Sequence, residues 1–292
     1  MRGARDLPLP LAPGRRPPAL SDDGARTRRY RAIFISDVHL GTPGCQAGAL
    51  LEFLRRTESD RLYLVGDIVD GWQLKRRWYW HPTHNDVVQK LLRKARKGTE
   101  VIYVPGNHDE AAREYAGLAF GGITIQSEAV HVTATGARLL VIHGDVFDTV
   151  VRCSRWLALL GDALSTFLLR LIRPLNGMRA RFGLPYWSLS QFLKLRVKNA
   201  VSYIGAFEDA LSREARERGF DGVVCGHIHH AEIRRIGDIL YANDGDWVES
   251  MTALAETHDG ELVILRWRDM ANSTSPDRFA AAMPEAAPAA AD

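Results

Sequence analysis

Five polar clusters punctuate the chain: Asp37-Val38-His39, Gly66-Asp67 with Asp70, Gly106-Asn107-His108-Asp109, His143-Gly144-Asp145 and Gly226-His227-Ile228-His229. Four of the five directly follow an apolar run. Their side chains are carboxylates, imidazoles and one amide, which are oxygen and nitrogen donors without a thiolate. Such a set suits manganese, iron, zinc or magnesium, and not a cysteine-bound structural zinc. A D-x-H or a G-D alone is common in surface turns; the ordered series of five after strands carries the signal. Two cations roughly 3.5–4 Å apart can bind phosphate oxygens, share a water and lower its pKa, which is the chemistry of in-line phosphoester hydrolysis.

An alternation of strands and helices must position these clusters, because loops at strand ends gather in one crevice of an α/β sheet. Residues 30–36 (YRAIFIS), 61–65 (RLYLV) and 100–104 (EVIYV) read as strands, each ending at a cluster. Residues 47–57 read as a helix with Leu50, Leu51 and Leu54 on one face. Residues 86–97 (DVVQKLLRKARK) read as an amphipathic helix stopped by Gly98. Residues 129–134 and 138–142 resemble a hairpin around Thr135-Gly136, and 222–225 a buried strand. The runs at 233–236, 239–242, 251–256 and 261–266 look like an antiparallel series. The expected architecture is an α/β (α+β) four-layer sandwich, two mixed β-sheets flanked by helices.

Residues from about 149 to 219 lack strand signals and form an expected helical lid insertion. Residues 156–172 (WLALLGDALSTFLLRLI) place Leu157, Leu160, Leu164, Phe167, Leu168 and Leu171 on one stripe. Residues 188–218 give a second long helical pattern, closed by Gly219. The expected domain spans 30–270, between tails at 1–29 and 271–292 that are rich in Pro with Arg or Ala and expected to be disordered.

The series D-x-H, G-D, G-N-H-D, H and G-H-x-H resembles the calcineurin-like metallophosphoesterase family, from about Ile33 to Asp246. The resemblance implies two divalent metal ions, manganese first, with iron, zinc and magnesium as alternatives. It implies one metal on Asp37, His39, Asp67 and His229 and the other on Asp67, Asn107, His143 and His227, bridged by Asp67. His108 has no metal role in that pattern; beside Asn107 it is assigned transition-state stabilisation or general-acid work. Asp67 and Asn107 belong with it to the catalytic set. Asp70 and Asp109 are candidates for orienting the histidines.

Beyond the five clusters the chain is similar to the branch that contains UDP-2,3-diacylglucosamine hydrolase, which carries a helical lid between the same two clusters. That likeness implies hydrolysis of the pyrophosphate of a UDP-linked diacyl sugar lipid to UMP and a diacylglucosamine 1-phosphate, in lipid A biosynthesis. The lid stripe at Leu164, Phe167 and Leu168 would take acyl chains, and Lys194, Arg196 and Lys198 would face phosphates or lipid headgroups; Lys194 and Lys198 share a helical face. The same leucines also suit simple packing on the sandwich. The aromatic cluster Trp72, Trp78, Tyr79 and Trp80, with His81–Asn85, suits stacking a base or lining the cleft as well as it suits an interface or a packed loop; His81 and His84 lie outside the ligand series.

With 38 basic and 35 acidic residues in 292, the positive excess does not imply nucleic acid, and none is expected as a partner. It suits an anionic substrate or membrane surface. Cys45, Cys153 and Cys225 have no paired spacing and read as small buried residues of a reducing compartment. No apolar signal region precedes the first strand, so the cytoplasm is expected, with peripheral association to the inner face of the inner membrane. Two other functions fit the same clusters: a soluble phosphodiesterase or phosphatase for nucleotides or another anionic metabolite, and a catalytically silent scaffold. The full ligand series argues against the scaffold. The sequence leaves the oligomeric state open.

Overall fold

The first strand, β1 (Arg28–Ile35), is buried on both faces, with Ala32 and Phe34 pointing one way and Ile33 and Ile35 the other. That explains why it reads as a continuous apolar run and not as an alternation. The computed structural model describes residues 27–147 and 189–272, with backbone only for 189–202. Strands and helices are numbered in chain order within those residues.

The pairing of β1 with β2 (Thr57–Val65) and of β2 with β3 (Glu100–Val104) is parallel. They form the centre of a seven-stranded sheet of order β12-β11-β1-β2-β3-β5-β4. Its other members are β4 (Ala119–Phe120), β5 (Ile123–Ile125), β11 (Thr252–Glu256) and β12 (Leu262–Arg266). A five-stranded sheet of order β6-β7-β8-β10-β9 comprises β6 (Ala129–Val132), β7 (Arg138–Val141), β8 (Gly222–Cys225), β9 (Glu232–Ile236) and β10 (Ile239–Asn243). Both sheets mix parallel and antiparallel pairs.

The inner faces meet in one core that includes Phe34, Tyr63, Val104, Leu139, Val224 and Leu254. Each such fully buried side chain contributes about 1.5–3 kcal/mol relative to exposure. Helices α1 (Ala47–Arg56) and α3 (Pro82–Arg96) cover the outer face of the large sheet, through Leu50, Leu54, Val87 and Leu91. Helix α4 (Leu189–Glu217) covers the small sheet through Phe207, Leu211 and Ala215. The result is the expected four-layer sandwich. Two short helices, α2 (Gly71–Arg76) and α5 (Trp267–Asn272), complete the fold.

Three local expectations change. The four late strands do not form one antiparallel series: β9 pairs with β10 and β11 with β12, but the two pairs sit in different sheets. The link Asp244–Ser250 crosses between sheets, because β10 pairs in parallel with β8 in the small sheet while β11 pairs antiparallel with β1 in the large one. Helix α3 begins at Pro82, not at 86. Pro82 sits in its first turn, where a missing N–H costs nothing, and the His81 side chain accepts from the Thr83 N–H. Cys45 is half-buried, whereas Cys225 is buried as expected.

The helix expected at 188–218 is found as Leu189–Glu217, with Gly219 at φ 71° just beyond its end. Residues 156–172, with Leu164, Phe167 and Leu168, lie outside the described residues, as do the side chains of Lys194, Arg196 and Lys198, Cys153, and most of both tails.

Candidate metal centre

Strands β1, β2, β3, β7 and β8 all end at the same edge of the sandwich, and each delivers one cluster there. The backbone at these ends is unusual. Among the described residues six non-glycine positions have left-handed φ, and five are Asp37 (49°), His39 (52°), Asp67 (53°), His227 (70°) and His229 (55°). Each such position costs of order 1–3 kcal/mol and persists only where the surroundings over-determine it. Here the two first loops lace together: the N–H groups of Val38 and His39 donate to the Asp67 carbonyl at 3.0 and 2.9 Å, and that of Leu40 to the Ile68 carbonyl at 2.9 Å. Asp109 adds a clamp, its buried carboxylate accepting from the N–H groups of Ile68 at 2.7 Å and Gly106 at 2.6 Å. It therefore orients loop backbone and not a histidine, contrary to expectation. Burial pushes the Asp109 carboxyl up, against the lowering effect of Tyr103.

The glycines before Asp67 and Asn107 answer a close approach. A Cβ on Gly66 would lie 2.3 Å from His143 Nδ1, and one on Gly106 would lie 2.3 Å from Asp67 Oδ1. Neither position has room for a side chain.

The hydrogen bonds leave one atom of each cluster facing inward. Asp67 Oδ1 accepts the His108 N–H at 2.8 Å, so Oδ2 faces His143 Nε2 at 3.4 Å, His39 Nε2 at 3.9 Å and His108 Nε2 at 4.0 Å. Asp37 Oδ2 accepts from the His227 N–H at 2.8 Å and the Ser36 hydroxyl at 2.5 Å, leaving Oδ1 beside His229 Nε2 at 3.0 Å. The His143 Nδ1–H donates to the Val65 carbonyl at 2.8 Å, and a carbonyl can only accept, so its Nε2 is the inward nitrogen. Asp70 plays the orienting part expected of it: its Oδ2 lies 3.2 Å from His39 Nδ1 and 3.1 Å from His108 Nδ1. The rings of His143 and His227 stand 5.1 Å apart, and those of His39 and His229 5.7 Å.

These donors form three groups whose ligand atoms lie within 4.8 Å of one another: Asp37, His39 and His229; Asp67, His143 and His227; and His39, Asp67 and His108. Asp37 Oδ1, Asn107 Oδ1 and His143 Nε2 are buried and have no aligned hydrogen bond. Buried polar atoms are seldom left so. A pair of divalent cations would satisfy all three, and the hard oxygen and imidazole donors suit it. The residues present fit such a pair. His108 falls within ligand range of Asp67 as well, so position alone does not separate its two possible roles.

Charge agrees with position. Burial pushes the Asp37 carboxyl up, but His229 and His143 outweigh it and hold the acid below the usual carboxylate range. For Asp67 the same contest, won by His143 and His108, ends well below that range. Burial alone would lower His143; Asp67 and Asp37 instead push it up to about 10. The two carboxylates thus stay ionised at neutral pH, as oxygen ligands of a cation must.

Trp72 of the aromatic cluster lies against His108, ring centroids 4.3 Å apart, and its indole N–H donates to Glu110. Other neighbours of the centre had no counterpart in the sequence reading. Ser36 also reaches Asp244 at 2.6 Å, whose carboxyl burial pushes well above the usual range. Phe207 of α4 lies 5.8 Å from the His227 ring. The run Asp244-Gly245-Asp246 follows β10 as the five clusters follow their strands, and that spacing was the available signal. Of the aromatic loop, Trp78 is exposed and stacks on Trp80, while His84 is buried beneath Tyr79 and Trp80 and accepts from the Gly41 N–H, away from the centre.

Residues 30–231 match the family described as calcineurin-like phosphoesterase. Among curated relatives, a UDP-2,3-diacylglucosamine hydrolase of Neisseria meningitidis serogroup B is 25% identical over 222 residues, 74% of this chain and 89% of that one. Its counterpart in Azotobacter vinelandii is 27% identical over 211 residues, 70% of this chain and 83% of that one. Among solved structures, a phosphoesterase from E. coli aligns over 80% of this chain and 97% of its own, at 15% identity and a TM-score of 0.37.

Proposed function

The chain belongs to the calcineurin-like phosphoesterase family, and we propose that it hydrolyses the pyrophosphate of a UDP-linked diacyl sugar, UDP-2,3-diacylglucosamine, releasing UMP. The observation that supports metal-dependent phosphoester chemistry is the single Asp67 oxygen facing both histidine sets, among buried donors that lack aligned hydrogen bonds. Asp37, His39, Asp67 and His229 would hold one divalent cation, and Asp67, Asn107, His143 and His227 the other, with manganese the first metal to try. When bound, the two cations supply Lewis acidity toward phosphate oxygens and a water of lowered pKa.

The chain's own residues do the rest. Asp67 spans both donor sets, and its Oδ1 is held by the His108 N–H so that Oδ2 stays directed inward. Asp70 Oδ2 lies 3.1 Å from His108 Nδ1 and Trp72 covers the ring, so Nε2 is the nitrogen left for a bound substrate. There His108 donates a proton to the oxygen that leaves phosphorus, or stabilises the charge that develops on it. The His108 side chain is about a quarter exposed, so a substrate can reach it.

The choice of substrate rests on the relatives named for that reaction, together with the apolar spacing and the basic residues that the sequence carries between 149 and 219. An acyl methylene buried there contributes about 0.8 kcal/mol. A diacyl substrate places the protein at the cytoplasmic face of the inner membrane as a peripheral visitor. Among the described residues no helix is long and apolar enough to cross a membrane.

The test is UMP release by the manganese-loaded protein from UDP-2,3-diacylglucosamine and from UDP-N-acetylglucosamine. Fast release from the acylated substrate alone supports the reading. Little release from either, with good hydrolysis of a generic phosphodiester, discards the lipid substrate and keeps the metal centre.

A further inference from the structure

At the opposite edge of the large sheet, where β1 and β2 begin, lies a cavity of about 370 Å³. Parallel strands of eight and nine residues separate it from the metal centre, roughly 25–30 Å at about 3.3 Å per residue. Six cationic side chains line it: Arg29 of β1, Arg55 of α1, Lys90, Arg93 and Lys94 of α3, and Lys97 that caps the end of α3. Only two acids, Glu58 and Asp60, line it with them, and both lie near Arg29, at 4.0 and 3.9 Å. Arg55 pairs with Glu52. Among the described residues, no carboxylate lies within 4.0 Å of Lys90, Arg93, Lys94 or Lys97.

Those four stand at i, i+3, i+4 and i+7, on one face of the helix. Like charges at these spacings repel and destabilise a helix. Proximity to the helix C-terminus favours the last of them, but Lys90 lies before the last turn. Lys94 is buried to 6% exposure, its ammonium donating to the Thr57 carbonyl at 2.5 Å. Burial first, and then Lys90 beside it, push the Lys94 amine down to about 8. Burial and the charges of Lys97, Arg93 and Arg55 lower Lys90 as well. Glu58 offsets part of this charge at Lys90 and Lys94, but it pairs directly with neither, so the face keeps an excess of positive charge in a concave site. An anion entering the cavity would relieve the repulsion, and the mixture of one guanidinium fork and compact ammonium groups matches phosphoryl oxygens.

We propose that this cavity is a binding site for a phosphoryl anion, separate from the metal centre and formed by Lys90, Arg93, Lys94 and Lys97 across from Thr57–Ser59. Its volume lies within the usual range for small-ligand sites, roughly 300–1,000 Å³, so a compact anion bearing one or two phosphoryl groups fits. The phosphoryl group can belong to a free metabolite or to a lipid headgroup.

The test uses the full-length, metal-loaded protein and pyridoxal 5′-phosphate, whose aldehyde condenses with a lysine amine near its bound phosphate, with loss of water. Borohydride reduction fixes the adduct, and peptide mapping locates it, so the readout does not depend on turnover and stands apart from the fate of the proposed reaction. Labelling should favour Lys90, Lys94 or Lys97 over Lys75 by at least about tenfold, the margin of a 1.4 kcal/mol preference. Suppression by excess inorganic pyrophosphate identifies a free phosphoryl anion as the occupant. Suppression by phosphatidylglycerol vesicles alone identifies a lipid headgroup. The Lys90→Glu, Lys97→Glu double variant should lose the preference at Lys94. Even labelling across the lysines, or preferential labelling that neither competitor reduces, overturns the site.

Discussion

The two edges of the large sheet face opposite electrostatic problems. Where β1 and β2 end, buried carboxylates and imidazoles crowd together on left-handed backbone, and Asp67 and Asp37 push His143 up to about 10. Where the same strands begin, cations crowd together on regular helix, and burial with neighbouring charge pushes Lys94 down to about 8. One edge asks for a cation and the other for an anion. The difference also shows how each is built. The first relies on strained loops that hydrogen bonds lock in place, which suits ligands that must not move. The second relies on an ordinary helical face, which suits a looser electrostatic grip.

The comparison breaks most readily at Asp67. Asp67→Ala removes the one group shared by both proposed metal sites, so activity should fall by several orders of magnitude and bound metal, measured by elemental analysis, should fall with it. Retention of metal would mean that the two sites do not share this carboxylate. His108→Ala should lower kcat by roughly 10²–10⁴-fold while elemental analysis finds metal content near wild type; loss of metal would make His108 a ligand, as its place near His39 and Asp67 permits. Asp70→Asn keeps the shape but weakens the hold on His39 and His108, and metal affinity or turnover should drop roughly 10–100-fold.

The smallest expected effect concerns pH and sharpens the contrast between the edges. In the metal-stripped protein His143 has a raised folded pKa. Its contribution to stability is complete below the unfolded value of 6.5 and is lost as pH rises through about 10. Lys94 has the opposite sign. Its folded pKa is about 8 against an unfolded value of 10.5, so the unfolded chain binds more protons in that window and stability rises with pH there. Comparing thermal midpoints of wild type and Lys94→Met, at several pH values between those two, should show the wild type gaining on the variant as pH rises. Parallel curves would mean that Lys94 keeps an ordinary pKa.

Much of the fold could be read from periodicity. The strands ending at Ile35, Val65 and Val104 are apolar because helices cover one face and the second sheet covers the other. Helix α1 and the hairpin of β6 and β7 follow from apolar spacing and a turn glycine, although the helix stops at Arg56 and Thr57 already begins β2. The crossing of Asp244–Ser250 between sheets could not be read, since β9 through β12 have the same local pattern whichever sheet they join. Nor could the start of α3, where Pro82 and the His81 cap extend the helix into what looked like an aromatic loop.

By itself the sequence determined the donor chemistry: which residues carry oxygen and imidazole ligands, in what order, and after which strands. Residue type and strand-end placement are local properties, and they suffice for a family resemblance. Only the tertiary structure decided which atom of each residue faces inward. That choice depends on partners distant in sequence, such as the Val65 carbonyl on His143, Asp109 on the Ile68 N–H, and Trp72 on His108. It also decided that Lys90, Arg93, Lys94 and Lys97, along α3 and at its cap, meet Thr57–Ser59 around a cavity, because that meeting requires helix α3 to dock on the large sheet. Charge spacing along a helix is written in the sequence; the surface that the charges share is a product of packing.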